Sequence, residues 1–329
     1  MAVTVGMYDA SLAHIGERLN RLGLNLNVLP FDKTGHFLVD GVEIAPGEID
    51  VDYLWLSSHI NADGAQKAAF DLALACKSIG VLQTFNAGLD NPTYKKISVK
   101  GTRICNSSAQ GVAIAEYVMA QVLSVTHPVA QQRDQQAAKE WKITPFRELS
   151  RTQWLIVGYG PIGREVAKRA KAFGAGISVV RRSPETSAIV DKAGTIADLG
   201  TLLPEADIIV FACPLNEKTR GFASTDFFKA VKPGAILVNI ARGGLIDDAS
   251  MIEALDDGLL ETAVLDVFHT EPLPIDDPLW SHPKIRLTPH TSFAGNGGQE
   301  RWDQLFLDNL VRFTKAEALT QEVDPADIV

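Results

Sequence analysis

Cysteine is scarce. Cys76, Cys105 and Cys213 are the only three, an odd number without ligand-like spacing, and each lies in or beside an apolar run. That excludes a disulfide framework and predicts reduced core thiols. Basic excess is lacking as well: 31 Lys and Arg stand against 40 Asp and Glu, for a net charge of −9. No basic stripe is dense enough to neutralise a phosphate backbone, which argues against a nucleic-acid surface; Lys95, Lys96 and Lys100 read as a solvated face. No apolar run reaches the length that crosses a bilayer, and the opening M-A-V-T-V-G-M has no basic residue before Arg18, unlike a signal peptide. A cytoplasmic location away from membranes is therefore the expectation. Repeats and low-complexity stretches are missing, and no metal is expected.

What is present is a chain of 329 residues, 46% hydrophobic and 22% charged, enough for two globular domains with sizeable cores. At its centre Trp154 to Gly163 reads W-L-I-V-G-Y-G-P-I-G. The first four residues form a strand apolar on both faces, the pattern of a parallel sheet. Gly158 permits a tight bend, Gly160 a close approach of backbone to pyrophosphate, and Gly163 the packing of helix on strand. Pro161 suits the first helical position, and the amides of Ile162 and Gly163 are left to face an anion. A lone G-x-G-x-x-G is also what an ordinary strand-to-helix turn looks like. Here a helix with a stripe of Val166, Ala167, Ala170, Ala172 and Phe173 follows, then a strand from Ile177 to Val180, which completes the nucleotide-binding unit.

Strand and helix patterns alternate along the rest of the chain, as in a doubly wound α/β fold. Strands are expected at 3–7, 24–29, 52–56 and 79–85, with helices striped by Leu12, Ile15, Leu19 and Leu22 and from about Asp63 to Cys76. The loop Asn86-Ala87-Gly88 follows a strand's carboxyl end, where such sheets bind ligands. A helix from Ala113 to Thr126 leads into a polar, Gln-rich one from Gln131 to Trp141, which either packs on a partner subunit or lies on the surface. Further strands are expected at 208–212, 235–240, 262–267 and 286–288, then an amphipathic helix from Gln299 to Ala316 and a polar tail.

Several residues carry chemistry. The strand ending at Val180 is followed by Arg181, Arg182 and Ser183, where an NAD-specific fold places a carboxylate on the ribose hydroxyls. Guanidiniums bind a 2′-phosphate, so NADP(H) is preferred, with NAD(H) as the alternative. Arg242, Glu271 and His290 each follow a later strand. Together they provide a fixed cation, a carboxylate and a titratable imidazole at one edge of a nucleotide-binding sheet, a set suited to reducing a 2-oxo acid. Hydride reaching a carbonyl carbon leaves charge on its oxygen, which a positioned acid neutralises. His290 could donate that proton, Glu271 orient the imidazole and favour its charged form, and Arg242 grip the substrate carboxylate.

The chain resembles, over nearly its whole length, the D-isomer-specific 2-hydroxyacid dehydrogenases, the group that includes glyoxylate and hydroxypyruvate reductases. The motifs are G-Y-G-P-I-G at Gly158, A-D-I-I-V-F-A-C-P-L from Ala206, K-P-G-A-I-L-V-N-I-A-R-G-G-L-I-D from Lys232, L-D-V-F-H-T-E-P-L-P from Leu265 and T-P-H-T-S from Thr288. The resemblance implies catalytic roles for Arg242, Glu271 and His290, and reduction of a small 2-oxo acid to the D-2-hydroxy acid. It implies cofactor contacts at Cys213, Pro214, Ile240, Ala241 and Asp266, with Asp266 near the nicotinamide, and assigns the amides of Asn86, Ala87 and Gly88 to the substrate carboxylate, beside Arg242 and His290. It further implies a Rossmann cofactor domain, 102–292, inserted in a flavodoxin-like substrate domain, 1–101 with 293–329, and a homodimer joined through cofactor domains that gives the polar helix before Trp141 a place to pack.

Two departures from the family pattern stand out. Arg181 and Arg182 replace the acidic position of NAD-dependent members, and Ala212 stands where many relatives carry His or Asn. Glu271 speaks against a formate dehydrogenase, and a regulatory extension like that of the longer phosphoglycerate dehydrogenases is not expected. Trp55, Leu56, Trp141 and Phe293 are candidate pocket walls, Trp141 being better read as helix packing. The reading from another functional class is a cofactor-sensing interaction protein of the corepressor type on the same fold.

Overall fold

A computed structural model of the chain describes residues 2–39 and 42–328. The elements run β1 (Val3–Tyr8), α1 (Asp9–Arg21), β2 (Leu26–Phe31), β3 (Phe37–Val39), β4 (Val42–Ile44), β5 (Asp50–Leu56), α2 (His59–Ala62), α3 (Gln66–Ala75), β6 (Ser78–Thr84), α4 (Pro92–Ser98) and β7 (Arg103–Cys105). There follow α5 (Gly111–Thr126), α6 (Val129–Ala137), β8 (Gln153–Val157), α7 (Pro161–Ala172), β9 (Gly176–Val180), β10 (Lys192–Gly194), α8 (Leu199–Leu202), β11 (Ile208–Phe211), α9 (Thr225–Lys229), β12 (Ala235–Asn239), α10 (Asp248–Asp256), β13 (Leu260–Leu265), β14 (Ile285–Leu287) and α11 (Gly298–Thr314). They form two compact units, Met1–Gln110 with Asn296–Val329, and Gly111–Gly295. The crossings expected at 101 and 292 thus fall further along. Residues 103–105 pair with β6 and so belong to the first sheet, and α5 opens the second unit at Gly111.

In the first unit the strand order is β4-β3-β2-β1-β5-β6-β7. Strands β2, β1, β5, β6 and β7 are parallel, and β3 and β4 add an antiparallel hairpin at the β2 edge. Without the hairpin this is the flavodoxin-like order. Alternate residues feed two cores. Leu54, Leu56 and Leu82 face Phe70, Leu72 and Tyr94, while Met7, Tyr53, Trp55 and Val81 face Ile15, Leu19, Phe306 and Leu310. The buried carboxylate of Asp303 on α11 pairs with His14 Nε2 at 3.0 Å and Arg18 at 3.2 Å, which fastens α11 to α1.

The second unit holds a sheet in the order β10-β9-β8-β11-β12-β13-β14, every neighbouring pair parallel. Counted from β8, that is the dinucleotide-binding order with one further strand. Trp154 and Ile156 of β8 pack with Val118, Val122, Val166 and Ala170 of the helices on one face, and Leu155 and Val157 join Ile209, Phe211 and Leu237 on the other. Each such aliphatic side chain contributes about 1.5–3 kcal/mol when fully buried. Both units are doubly wound α/β folds, and among the described residues no single helix is long and apolar enough to cross a membrane.

Several local expectations need correction. The polar helix expected at 131–141 runs instead over Val129–Ala137. It ends in a Schellman motif: Lys139 is left-handed with φ 57°, its amide bonds to Gln136 O, and the Glu140 amide bonds to Gln135 O. Trp141 therefore lies beyond the helix and is wholly exposed, neither pocket wall nor packed side chain. Trp55 and Leu56 belong to the first unit's core, Trp55 stacked on Phe306 at 4.1 Å. The polar tail is in fact docked. Val323 N bonds to Ile104 O, Asn106 N bonds to Gln321 O, and Ile328 is buried. Strands β3, β4, β7 and β10, each of three residues, were not anticipated. All three cysteines are free, and burial pushes each thiol up to about 12.

Candidate active site

The strand-to-helix turn at the end of β8 has the shape its glycines predict. Gly158 has φ 104°, and a Cβ there would sit 2.5 Å from the Ala212 and Cys213 backbone; one at Gly163 would sit 2.1 Å from Gly158 O. Side chains are therefore excluded at both positions. Gly160 caps α7 from outside and is the opposite case: a Cβ there would meet nothing within 4 Å. Pro161 is the first helical residue and Arg164 N already bonds to Gly160 O, so Ile162 and Gly163 retain the unpaired amides of the helix end. The open space at Gly160 would let a pyrophosphate approach these amides, which the helix dipole would favour.

Other expected cofactor residues surround the same carboxyl edge. Arg181 follows β9 and is half-buried, 3.7 Å from the exposed Glu185; Arg182 and Ser183 are exposed. Cys213, half-buried, and Pro214, exposed, follow β11, and Cys213 N lies against Gly158. Ile240 and Ala241, after β12, are buried and so offer backbone rather than side chain.

Arg242, Glu271 and His290 lie beyond the ends of β12, β13 and β14, three successive strands of the sheet. His290 Nδ1 is 2.7 Å from Glu271 Oε2, and Glu271 Oε1 accepts from the Phe268 amide at 2.9 Å. The carboxylate is thus held by its own turn before it meets the ring. Its engagement of Nδ1 leaves Nε2 for a reacting group. Phe293 stands edge-on to the imidazole, with ring centres 6.1 Å apart. Arg242 is half-buried and donates to Ala241 O at 2.6 Å. Its turn packs against the Glu271 turn so closely that a Cβ on Gly243 would lie 2.1 Å from the Phe268 carbonyl carbon.

Two buried polar side chains organise these turns. Asn239, at the end of β12, accepts from Ala241 N at 3.1 Å and donates to Arg242 O at 2.9 Å. Its amide-bearing side chain had no assigned role in the sequence, although a polar residue closing a wholly apolar strand was the available signal. Asp266, which the resemblance puts beside the nicotinamide, is fully buried. Its oxygens accept from Thr288 Oγ1 at 2.7 Å, Thr291 N at 2.8 Å and Ser292 N at 3.0 Å.

Within the first unit, the loop after β6 ties down its carbonyls. Ser107 N bonds to Asn86 O at 2.8 Å and Asn106 Nδ2 to Ala87 O at 2.7 Å, while the Asn86 side chain donates to Tyr94 Oη at 2.8 Å. The Asn86 amide meets Thr84 Oγ1 at 3.3 Å. Among the described residues nothing accepts from the amides of Ala87 or Gly88. Fixed carbonyls leave these amides as donors that an anion could use.

Residues 119–292 match the model of the D-isomer specific 2-hydroxyacid dehydrogenase NAD-binding domain. This chain belongs to that family. It is 34% identical over 72% of its length to a hydroxypyruvate reductase of Thermotoga maritima, covering 78% of that protein. Against the D-3-phosphoglycerate dehydrogenase of Bacillus subtilis identity is 31% over 76% of the chain, which spans only about half (48%) of that relative. A solved family member from Aeromonas salmonicida superposes with a TM-score of 0.77 at 28% identity, covering 99% of this chain and 100% of that one. Another, from Xanthobacter autotrophicus in complex with NADPH and MES, has the same fold: TM-score 0.78 at 22% identity, with full coverage of both chains.

Proposed function

We propose that this chain reduces a small 2-oxo acid of the glyoxylate or hydroxypyruvate kind to the D-2-hydroxy acid, with NADP(H) as the preferred cofactor. The observation that carries the reading is the 2.7 Å pair of His290 Nδ1 and Glu271 Oε2 at the carboxyl edge of a dinucleotide-binding sheet. When bound, the reduced nicotinamide supplies hydride to the carbonyl carbon. His290 gives a proton from Nε2 to the oxygen as charge develops there, and Glu271 keeps Nδ1 protonated and stabilises the imidazolium before transfer. Arg242 pairs with the substrate carboxylate and polarises the carbonyl, its turn fixed by Asn239. In the same reading the free amides of the Asn86-Ala87-Gly88 loop are donors for a carboxylate. In oxidation the same imidazole, neutral, accepts the proton.

Arg181 supports the cofactor preference, since a guanidinium after the second strand pairs with a 2′-phosphate where a carboxylate would repel it. A homodimer through the cofactor-binding unit is part of the same reading. The exposed Trp141, Ile143 and Phe146 beyond the polar α6 support it, as apolar surface that a second copy would cover. Initial rates on glyoxylate, hydroxypyruvate, pyruvate and bulkier 2-oxo acids, each with NADPH and NADH, test the proposal. NADPH-dependent reduction of the smaller acids is expected. Binding of NADPH without reduction of any acid in the panel would replace it with a cofactor-sensing role.

A further inference from the structure

We propose that Asp266 is a positioning residue for His290: its buried carboxylate clamps the chain on both sides of the imidazole and holds that residue in a left-handed conformation. His290 has φ 47°, a region that non-glycine residues occupy only when their surroundings impose it. The surroundings here are specific. Thr288 Oγ1 donates to Asp266 from two residues before His290, and the amides of Thr291 and Ser292 donate from just after it. The carboxylate is itself fixed, because Asp266 N bonds to Asn239 O at 3.0 Å and Thr288 N to Leu265 O at 3.0 Å.

The clamp extends to a third element. Tyr117 Oη on α5 lies 2.5 Å from Thr288 Oγ1. Since the threonine hydroxyl donates its proton to Asp266, Tyr117 donates to the threonine. Burial pushes the Tyr117 phenol up to about 12, so it remains a neutral donor. Donation runs from Tyr117 to Thr288 to Asp266, whose accepting carboxylate has no exposed surface. Such a carboxylate is tolerable inside a protein because three donors replace its water. With Glu271 anchored separately by Phe268 N, the ring and its carboxylate partner meet as two independently fixed groups.

The inference rests on the reading of His290 as the acid, but its test does not depend on turnover. In Asp266→Asn one acceptor oxygen becomes an amide that faces a donor. Hydrogen exchange at Thr291 and Ser292 in the intact chain should accelerate at least about 10-fold. The His290 Nδ1 proton resonance, followed by nitrogen-labelled NMR, should lose its hydrogen-bonded shift. In parallel kcat should fall about 10- to 100-fold. Thr288→Val should move exchange and kcat the same way, with Thr288→Ser restoring both, and this pair carries the test if Asp266→Asn does not fold. Unchanged exchange and an unchanged His290 resonance would overturn the clamp. So would weakened NADPH binding with both the exchange and the resonance intact, which would leave Asp266 a cofactor contact alone. A wild-type chain that reduces no 2-oxo acid removes the catalytic reading and leaves the exchange and resonance arms to decide the clamp.

Discussion

Glu271 divides its carboxylate between a backbone amide and an imidazole: Oε1 receives Phe268 N at 2.9 Å and Oε2 faces His290 Nδ1 at 2.7 Å. A carboxylate held in this way fixes which ring nitrogen carries the permanent proton, and so which one reacts. Glu271→Gln keeps the shape but stabilises the imidazolium less. We expect kcat to fall about 100-fold or more, and His290→Ala to fall by about 10²–10⁴. On the proposed reading reduction takes up a proton through His290 and oxidation gives one to it, so reduction should decline with rising pH and oxidation should increase. Parallel profiles in the two directions, with hydride transfer shown by deuterium isotope effects to limit the rate, would remove His290 from the role.

Arg181 is half-buried at the end of β9, and its ion pair with Glu185 at 3.7 Å is loose and largely in water. Exchanging that partner for a phosphate therefore costs little. A charge-assisted hydrogen bond is worth about 1.5–3 kcal/mol, so Arg181→Ala should raise KM for NADPH by about 10- to 150-fold. KM for NADH should change by less than threefold, because NADH has no 2′-phosphate to lose. Equal effects on the two cofactors, measured side by side at saturating 2-oxo acid, would mean that Arg181 does not read the phosphate.

The doubly wound architecture was legible because β8, β11 and β12 bury both faces and read as nearly continuous apolar runs. The elements that were missed have physical reasons for being quiet. A three-residue strand such as β7 or β10 is too short for any periodicity to register. The end of α6 is set by a lysine in a conformation usually marked by glycine, so no stop signal is written at Lys139. At the site, Gly158, Gly163, Glu271 and His290 were legible because their chemistry is local to a motif. Asn239 acts within its own turn and Asp266 on residues that follow the neighbouring strand β14, and a linear pattern does not show what a buried amide or carboxylate will accept from. The docked tail belongs to the same class, its partner Arg103 lying more than two hundred positions earlier.

Asn239 is the second of those buried groups, and its replacement separates stability from catalysis. The side chain is fully buried and satisfies both Ala241 N and Arg242 O. Asn239→Ala leaves the two backbone groups unpaired, at about 1–3 kcal/mol each. In a unit of this size each kcal/mol lowers Tm by about 2–4 °C, readable by calorimetry. Because the lost contacts hold the Arg242 turn, the 2-oxo acid KM should also rise. Asn239→Ala with a lowered Tm but an unchanged KM would show that the turn stays in place without the amide.

Acid should release the C-terminal segment before it unfolds the rest. Arg103 grips Glu322 with two nitrogens, both at 2.7 Å, and this hydrogen-bonded guanidinium holds the Glu322 carboxyl below the usual glutamate range. Since the value is lowered in the folded chain, the pair contributes fully above the unfolded glutamate value of about 4.3 and is lost as pH falls through the folded one. Both partners are more than a third exposed, so the contribution is small, about 0.2–1 kcal/mol. That is still enough to register locally, because the segment is otherwise fastened to β7 mainly by the Val323–Ile104 and Asn106–Gln321 bonds and by the seat of Ile328. Hydrogen exchange at Val323 and Asn106 should therefore accelerate below about pH 4 more than exchange in β8 or β12. Glu322→Gln should remove most of that pH dependence and leave a segment that is uniformly less protected. Equal pH dependence in the wild type and Glu322→Gln would assign the acid lability to another group.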